Sequence, residues 1–167
     1  MKSFKLFIFF LFFLMNISHY LYADDKIAFI DVDYIINNSI TGKNILKEIR
    51  ELNNNNISKL KKYEDDIKLK EAEINKVKNV ISQDQLNKKI SLLKKDFEIY
   101  KKEQDLMAVN FNKIRDKKFK SLIDEISLII QNYMTENSIS IVFEKKNIFT
   151  GRKEYDITNN ILNIYNK

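Results

Sequence analysis

The sequence predicts an α+β protein that is mainly α, a long helical coiled-coil hairpin standing on a small β-containing body. Three features predict it. Apolar residues recur at alternating steps of three and four from Leu60 to Ile114. Within that stretch one capping tetrapeptide, Ser82-Gln83-Asp84-Gln85, marks a fresh helix start. Outside it, both ends carry short apolar runs that lack the heptad pattern.

The chain begins with an address. Lys2 and Lys5 make a positive start, Leu6 to Ile17 is apolar apart from Asn16, and a short polar exit leads to Ala23. Such a run is shorter than the roughly 20 apolar residues a membrane helix needs. It has the layout of a secretory signal peptide, residues 1–23, cut after Ala23. Leu21 at the third position before the cut leaves an uncleaved anchor as the alternative. No Cys follows the run, which excludes a lipoprotein anchor. The only His, His19, lies inside it. The remaining chain therefore has neither Cys nor His, which rules out disulfides, thiol catalysis and His-based metal sites.

Residues 24–56 open with Lys26 to Val32, a strand-like apolar run. Helical character follows from Tyr34, with a soft break expected at Gly42 and one apolar face through Leu46, Ile49 and Leu52. Residues 57–120 form the arm. Leu60, Tyr63, Ile67, Lys70, Ile74, Val77 and Ile81 make one seam, with Lys70 its polar intruder. Leu86, Ile90, Leu93, Phe97, Tyr100, Gln104, Met107, Phe111 and Ile114 make the second. An average period of 3.5 is the signature of a left-handed coiled coil, so Phe97, Tyr100 and Phe111 are expected inside it. Between the seams the Ser82 hydroxyl and the Gln85 side chain can satisfy each other's backbone N–H groups. That places a hairpin tip near residues 82–85, with one uninterrupted helix as the alternative. At about 1.5 Å per residue each arm would be on the order of 40 Å long.

Residues 121–167 return to the body. Phe119, Leu122, Ile126, Ile129 and Tyr133 continue the helix after an eleven-residue slip from Phe111. Such a step unwinds the supercoil. Ser140 to Phe143 and Asn147 to Thr150 read as two strands, Gly151 as a turn, and Ile157, Ile161, Leu162 and Tyr165 as a final amphipathic helix capped by Asp156 or Thr158. A base of a few short strands with open edges is a poor monomer, so self-association is expected.

Charge is unevenly placed. Residues 57–120 hold eighteen basic and eleven acidic side chains, whereas residues 24–56 hold four and six and residues 121–167 hold five and six. Lys59, Lys61, Lys62, Lys88, Lys89, Lys94, Lys95, Lys101 and Lys102 are the candidate client-binding residues, acting collectively. Singly, each reads equally well as a solvated coiled-coil flank, paired as Asp84 and Lys88 are spaced to be. Catalysis has little to stand on. Asp31 and Asp33 at the strand end and Asp65-Asp66 on the arm have no His, Cys or phosphate loop beside them, and no metal or cofactor site is expected. A nucleic-acid binder is suggested by the basic balance alone, and secretion argues against it.

The two ends resemble the Skp/OmpH family of periplasmic chaperones. The carrying residues are Lys26-Ile27-Ala28-Phe29-Ile30-Asp31-Val32-Asp33, Ser39 and Thr41-Gly42-Lys43, then Ile139-Ser140-Ile141-Val142-Phe143 and Asp156-Ile157-Thr158. The coiled coil between them agrees in length and position only. The resemblance implies a homotrimer whose bodies assemble together, the body serving for trimerisation. Three arms then surround a cavity that holds unfolded outer-membrane proteins, without nucleotide. It also implies a basic patch for peripheral contact with membrane or lipopolysaccharide, for which Lys88 and Lys89 are candidates by position. The competing class is a structural coiled-coil spacer or adaptor of the envelope.

Overall fold

The computed structural model describes residues 26–167. The segment read as a signal peptide, residues 1–23, lies outside the described residues. The chain runs β1 (Lys26–Ile30), α1 (Val32–Asn38), α2 (Ile40–Val77), α3 (Gln83–Asn137), β2 (Ile139–Glu144), two 3-10 turns and α4 (Thr158–Tyr165). Long helices and a two-stranded sheet make it mainly α.

β1 and β2 pair in parallel, Ile27 opposite Ile141 and Phe29 opposite Phe143. Parallel strands need a crossover rather than a tight turn, and here the crossover is the entire helical hairpin. The first strand is shorter than its apolar run suggests. Asp31 leaves the ladder to cap α1, its carboxylate accepting from the Tyr34 N–H at 2.8 Å. Its own N–H donates to the Thr158 hydroxyl at 2.9 Å. Asp31 is thus a helix cap and a tie between the two ends of the chain.

The break expected at Gly42 falls at Ser39. The buried Ser39 ends α1, its N–H donating to the Ile35 carbonyl at 2.8 Å, and starts α2, its hydroxyl accepting from the Gly42 N–H at 3.0 Å. Gly42 lies inside the first turn of α2 and serves close approach. A Cβ there would overlap the Ile36 carbonyl oxygen.

Ala28, Ile30, Ile35, Ile36, Leu122, Ile126, Ile157 and Ile161 form the core. Phe119, Ile129, Tyr133, Leu162 and Tyr165 pack around it, half-buried. The core lies where α3 passes between the strands and the terminal helix. The Tyr165 hydroxyl donates to Glu125 at 2.7 Å. Burial, and then that bond to a carboxylate, push the hydroxyl's pKa up to about 12.

The second expected strand, Asn147 to Thr150, is absent. Lys145–Asn147 is a 3-10 turn, and the other edge of β1 is taken by a bridge from Phe29 to Asp156. No ladder position remains for residues 147–150 within one chain, and Phe149 is fully exposed. Asp156 caps α4 from just outside it. Its carboxylate accepts from the Thr158 N–H at 3.0 Å and the Thr158 hydroxyl, and from Lys145 at 2.8 Å. Desolvation raises its pKa, but the bonds from Lys145 and Thr158 outweigh that and hold it below the usual carboxylate range.

Two outcomes are expected. Gly42→Ala should destabilise the fold by about 2 kcal/mol or more, as overpacking against immovable backbone does. Gly151→Ala should cost less, because its Cβ would meet the Phe29 ring, which can shift, at 2.8 Å. Urea unfolding of both variants checks the order. A carboxylate with a lowered pKa contributes stability above its unfolded pKa of about 3.9 and loses it as pH falls through the lower folded value. The stability gap between wild type and Asp156→Asn should therefore be full at pH 7 and close as pH drops below about 4.

Candidate functional site

The arm is an antiparallel pair. α2 ends at Val77, a turn through Val80 and Ile81 follows, and Ser82 with Gln85 forms the reciprocal capping box that starts α3. Along the arm only the seam residue Ile67 is buried. Leu60, Ile74, Leu86, Leu93, Tyr100, Met107 and Phe111 are half-buried, and Phe97, expected inside, is 44 % exposed. The reason is geometric. Two helices share one line of contact, so a large ring at the seam is covered on one side and open on the other.

Polar links hold the two helices in register. Lys70 reaches across to Asp96 at 2.7 Å, the Tyr100 hydroxyl donates to Glu64 at 2.7 Å, and Lys118 pairs with Glu48 near the root. The bond to Asp96 holds the Lys70 ammonium more basic than usual, and the bond to Glu64 raises the Tyr100 pKa. Lys70 was expected to soften the seam; it forms a cross-link there instead.

Lys59, Lys61 and Lys62 lie on α2, and Lys88, Lys89, Lys94, Lys95, Lys101 and Lys102 on α3, all exposed. They are spread along the arm rather than gathered into one pocket. Among the described residues none of the nine forms an ion pair, including Lys88 with Asp84. The surface pairs lie elsewhere, as in Lys47–Glu51 and Lys120–Asp124. No group of three potential metal-ligating side chains occurs among the described residues. No helix among them is long and apolar enough to cross a membrane. What the arm can offer chemically is unpaired ammonium groups beside exposed aliphatic surface.

That aliphatic surface was missed in the sequence. Leu69, Leu92, Leu106 and Val109 are each more than half exposed, and Ile99 is 42 % exposed. The available signal was the seven-residue spacing of Leu92, Ile99 and Leu106 outside the seam. The body has an open apolar face as well. A pocket lined by Ile27, Phe29, Phe143, Ile148 and Tyr155 sits beside the bare Phe149.

Residues 26–165 match the model of a family described as outer membrane protein (OmpH-like). No curated protein matches the chain. Among solved structures it is similar to a candidate outer membrane chaperone (OmpH-like) from Caulobacter crescentus CB15. The TM-score is 0.77 at 14 % identity, over 84 % of this chain and 83 % of that one. At that identity the likeness is one of fold.

Replacing Lys70 with Leu should stiffen the arm, since an apolar side chain at this seam position packs where a cation must reach out to a partner. Amide exchange around Ile67–Ile74 and Leu93–Tyr100 is expected to slow in Lys70→Leu. Faster exchange would mean that the Lys70–Asp96 pair contributes more than packing can.

Proposed function

We propose that this chain, which belongs to the OmpH-like outer membrane protein family, is an ATP-independent periplasmic holding chaperone. It binds unfolded outer-membrane proteins and prevents their aggregation, without catalysis or cofactor. The observation that carries the reading is the arm: nine exposed lysines with no ion pair among the described residues, interleaved with exposed aliphatic side chains.

An unfolded membrane-barrel protein presents apolar and acidic stretches that aggregate quickly in water. A cationic arm attracts it over a Debye length of about 8 Å at physiological salt. Many weak contacts then hold it without reading a sequence. Lys59, Lys61, Lys62, Lys88, Lys89, Lys94, Lys95, Lys101 and Lys102 supply the charge together. Lys88 and Lys89, near the tip, also suit peripheral contact with a membrane or lipopolysaccharide.

The rest of the chain serves assembly and delivery. Residues 1–23 direct secretion across the inner membrane and are removed. Residues 24–56 and 121–167 build the body, and residues 57–120 the arm. The core is small, and Ile27, Ile141 and Phe143 are each about half exposed beside the fully exposed Phe149. Such a face suits burial between subunits, and a homotrimer would set three arms around one cavity.

The test is light scattering of an outer-membrane barrel protein diluted from urea, without ATP, with this protein added. Suppression is expected near one trimer per client and should weaken severalfold when salt rises from about 0.05 to 0.5 M. Well-folded protein that suppresses nothing at any salt would favour the envelope spacer. Light-scattering mass should give three chains per particle and fall to lower mass for Phe149→Glu.

A further inference from the structure

α3 carries a second repeating line that the hairpin seam does not use. With Ile90, Phe97, Gln104 and Phe111 at the first heptad position, Leu92, Ile99 and Leu106 all fall at the third, and Lys88, Lys95 and Lys102 at the sixth. These two positions lie about 60° apart on the helix surface and form one stripe facing away from α2. Leu92, Ile99 and Leu106 are 62 %, 42 % and 53 % exposed. The three lysines are exposed and unpaired among the described residues. Glu98 and Asp105 follow Lys95 and Lys102 by three residues yet form no ion pair with them.

Single surface leucines need no explanation, but apolar side chains aligned along one face do. None of these three contributes to the seam, and each leaves apolar surface in water. We propose that this stripe is a client-binding site. Leu92, Ile99 and Leu106 hold apolar side chains of an unfolded polypeptide, and Lys88, Lys95 and Lys102 pair with its carboxylates. The site rests on the holding function proposed above and assigns it to one face of one helix.

Charge complementarity selects the occupant. A second copy would set lysine against lysine. A lipid surface calls for an apolar face at least about 100° wide, and this stripe is narrower. A polypeptide laid lengthwise fits it. The stripe repeats every seven residues, about 10 Å, whereas side chains on one face of an extended chain repeat at about 6.7 Å. No register is favoured, so the stripe grips many sequences weakly.

The experiment compares wild type with Leu92→Gln/Ile99→Gln/Leu106→Gln, each expressed as the full chain and purified, in the barrel-protein aggregation assay. Gln is a good helix former and these sites are exposed, so helicity and oligomer mass should be unchanged. The triple variant should need about fivefold more protein for half suppression. Lys117→Gln/Lys120→Gln, on the same helix nearer the body, should stay within twofold of wild type. Equal suppression by wild type and the triple variant overturns the stripe and leaves the holding function standing. No suppression by wild type removes both. Flotation with phosphatidylglycerol vesicles separates the lipid alternative. Vesicle binding lost in the triple variant while suppression persists assigns the stripe to a membrane and overturns the proposal.

Discussion

The parallel pairing of β1 with β2 is the constraint on which the rest of the structure depends. It brings Lys26–Ile30 beside Ile139–Glu144 although more than a hundred residues separate them. Because the strands are parallel, the intervening chain must leave one end of the sheet and return to the same end it started from. The helical hairpin does that, and its returning helix lays Leu122 and Ile126 against Ala28 and Ile30. The root of the arm and the core of the body are therefore one piece. Thr158 reinforces the closure by accepting from the Asp31 N–H, so α4 is tied to the end of β1.

Above the root the balance of forces changes. The body buries aliphatic side chains almost completely, whereas the arm buries Ile67 alone. Two helices enclose no interior, so cohesion comes from half-covered seam residues together with cross-arm bonds such as Glu64–Tyr100 and Lys70–Asp96. Exposed links of this kind set alignment more than stability. An arm held this way keeps its register and still has side chains free to meet something else. Its unpaired lysines and outward aliphatic residues suit a partner with no defined shape.

The body has the opposite problem. A core of a few aliphatic residues under a two-stranded sheet is marginal by itself. The apolar surface around Ile27, Phe143 and Phe149 remains uncovered within one chain. Asn147–Thr150 is apolar and β-prone but has no strand beside it, because the Asp156 bridge occupies the remaining edge of β1. Its composition belongs to an assembly larger than the single chain, which is why a strand was the natural reading of those residues.

Local features of the sequence were sufficient for the helices. A 3.5-residue period and a Ser82–Gln85 capping box act between residues one turn apart, so they specify the two long helices and the turn joining them without reference to the rest of the chain. The same holds for the basic character of the arm. Tertiary structure decided what depends on distant partners. Whether the chain bends at Ser39 or Gly42 depends on the close approach of α2 to the Ile36 carbonyl. Whether Lys70 weakens the seam or cross-links it depends on Asp96, twenty-six residues away. Whether Phe97 is covered, and whether Leu92, Ile99 and Leu106 face solvent, depends on how many helices pack together. A heptad pattern reports which residues face a neighbour, and only the packed structure reports how many neighbours there are.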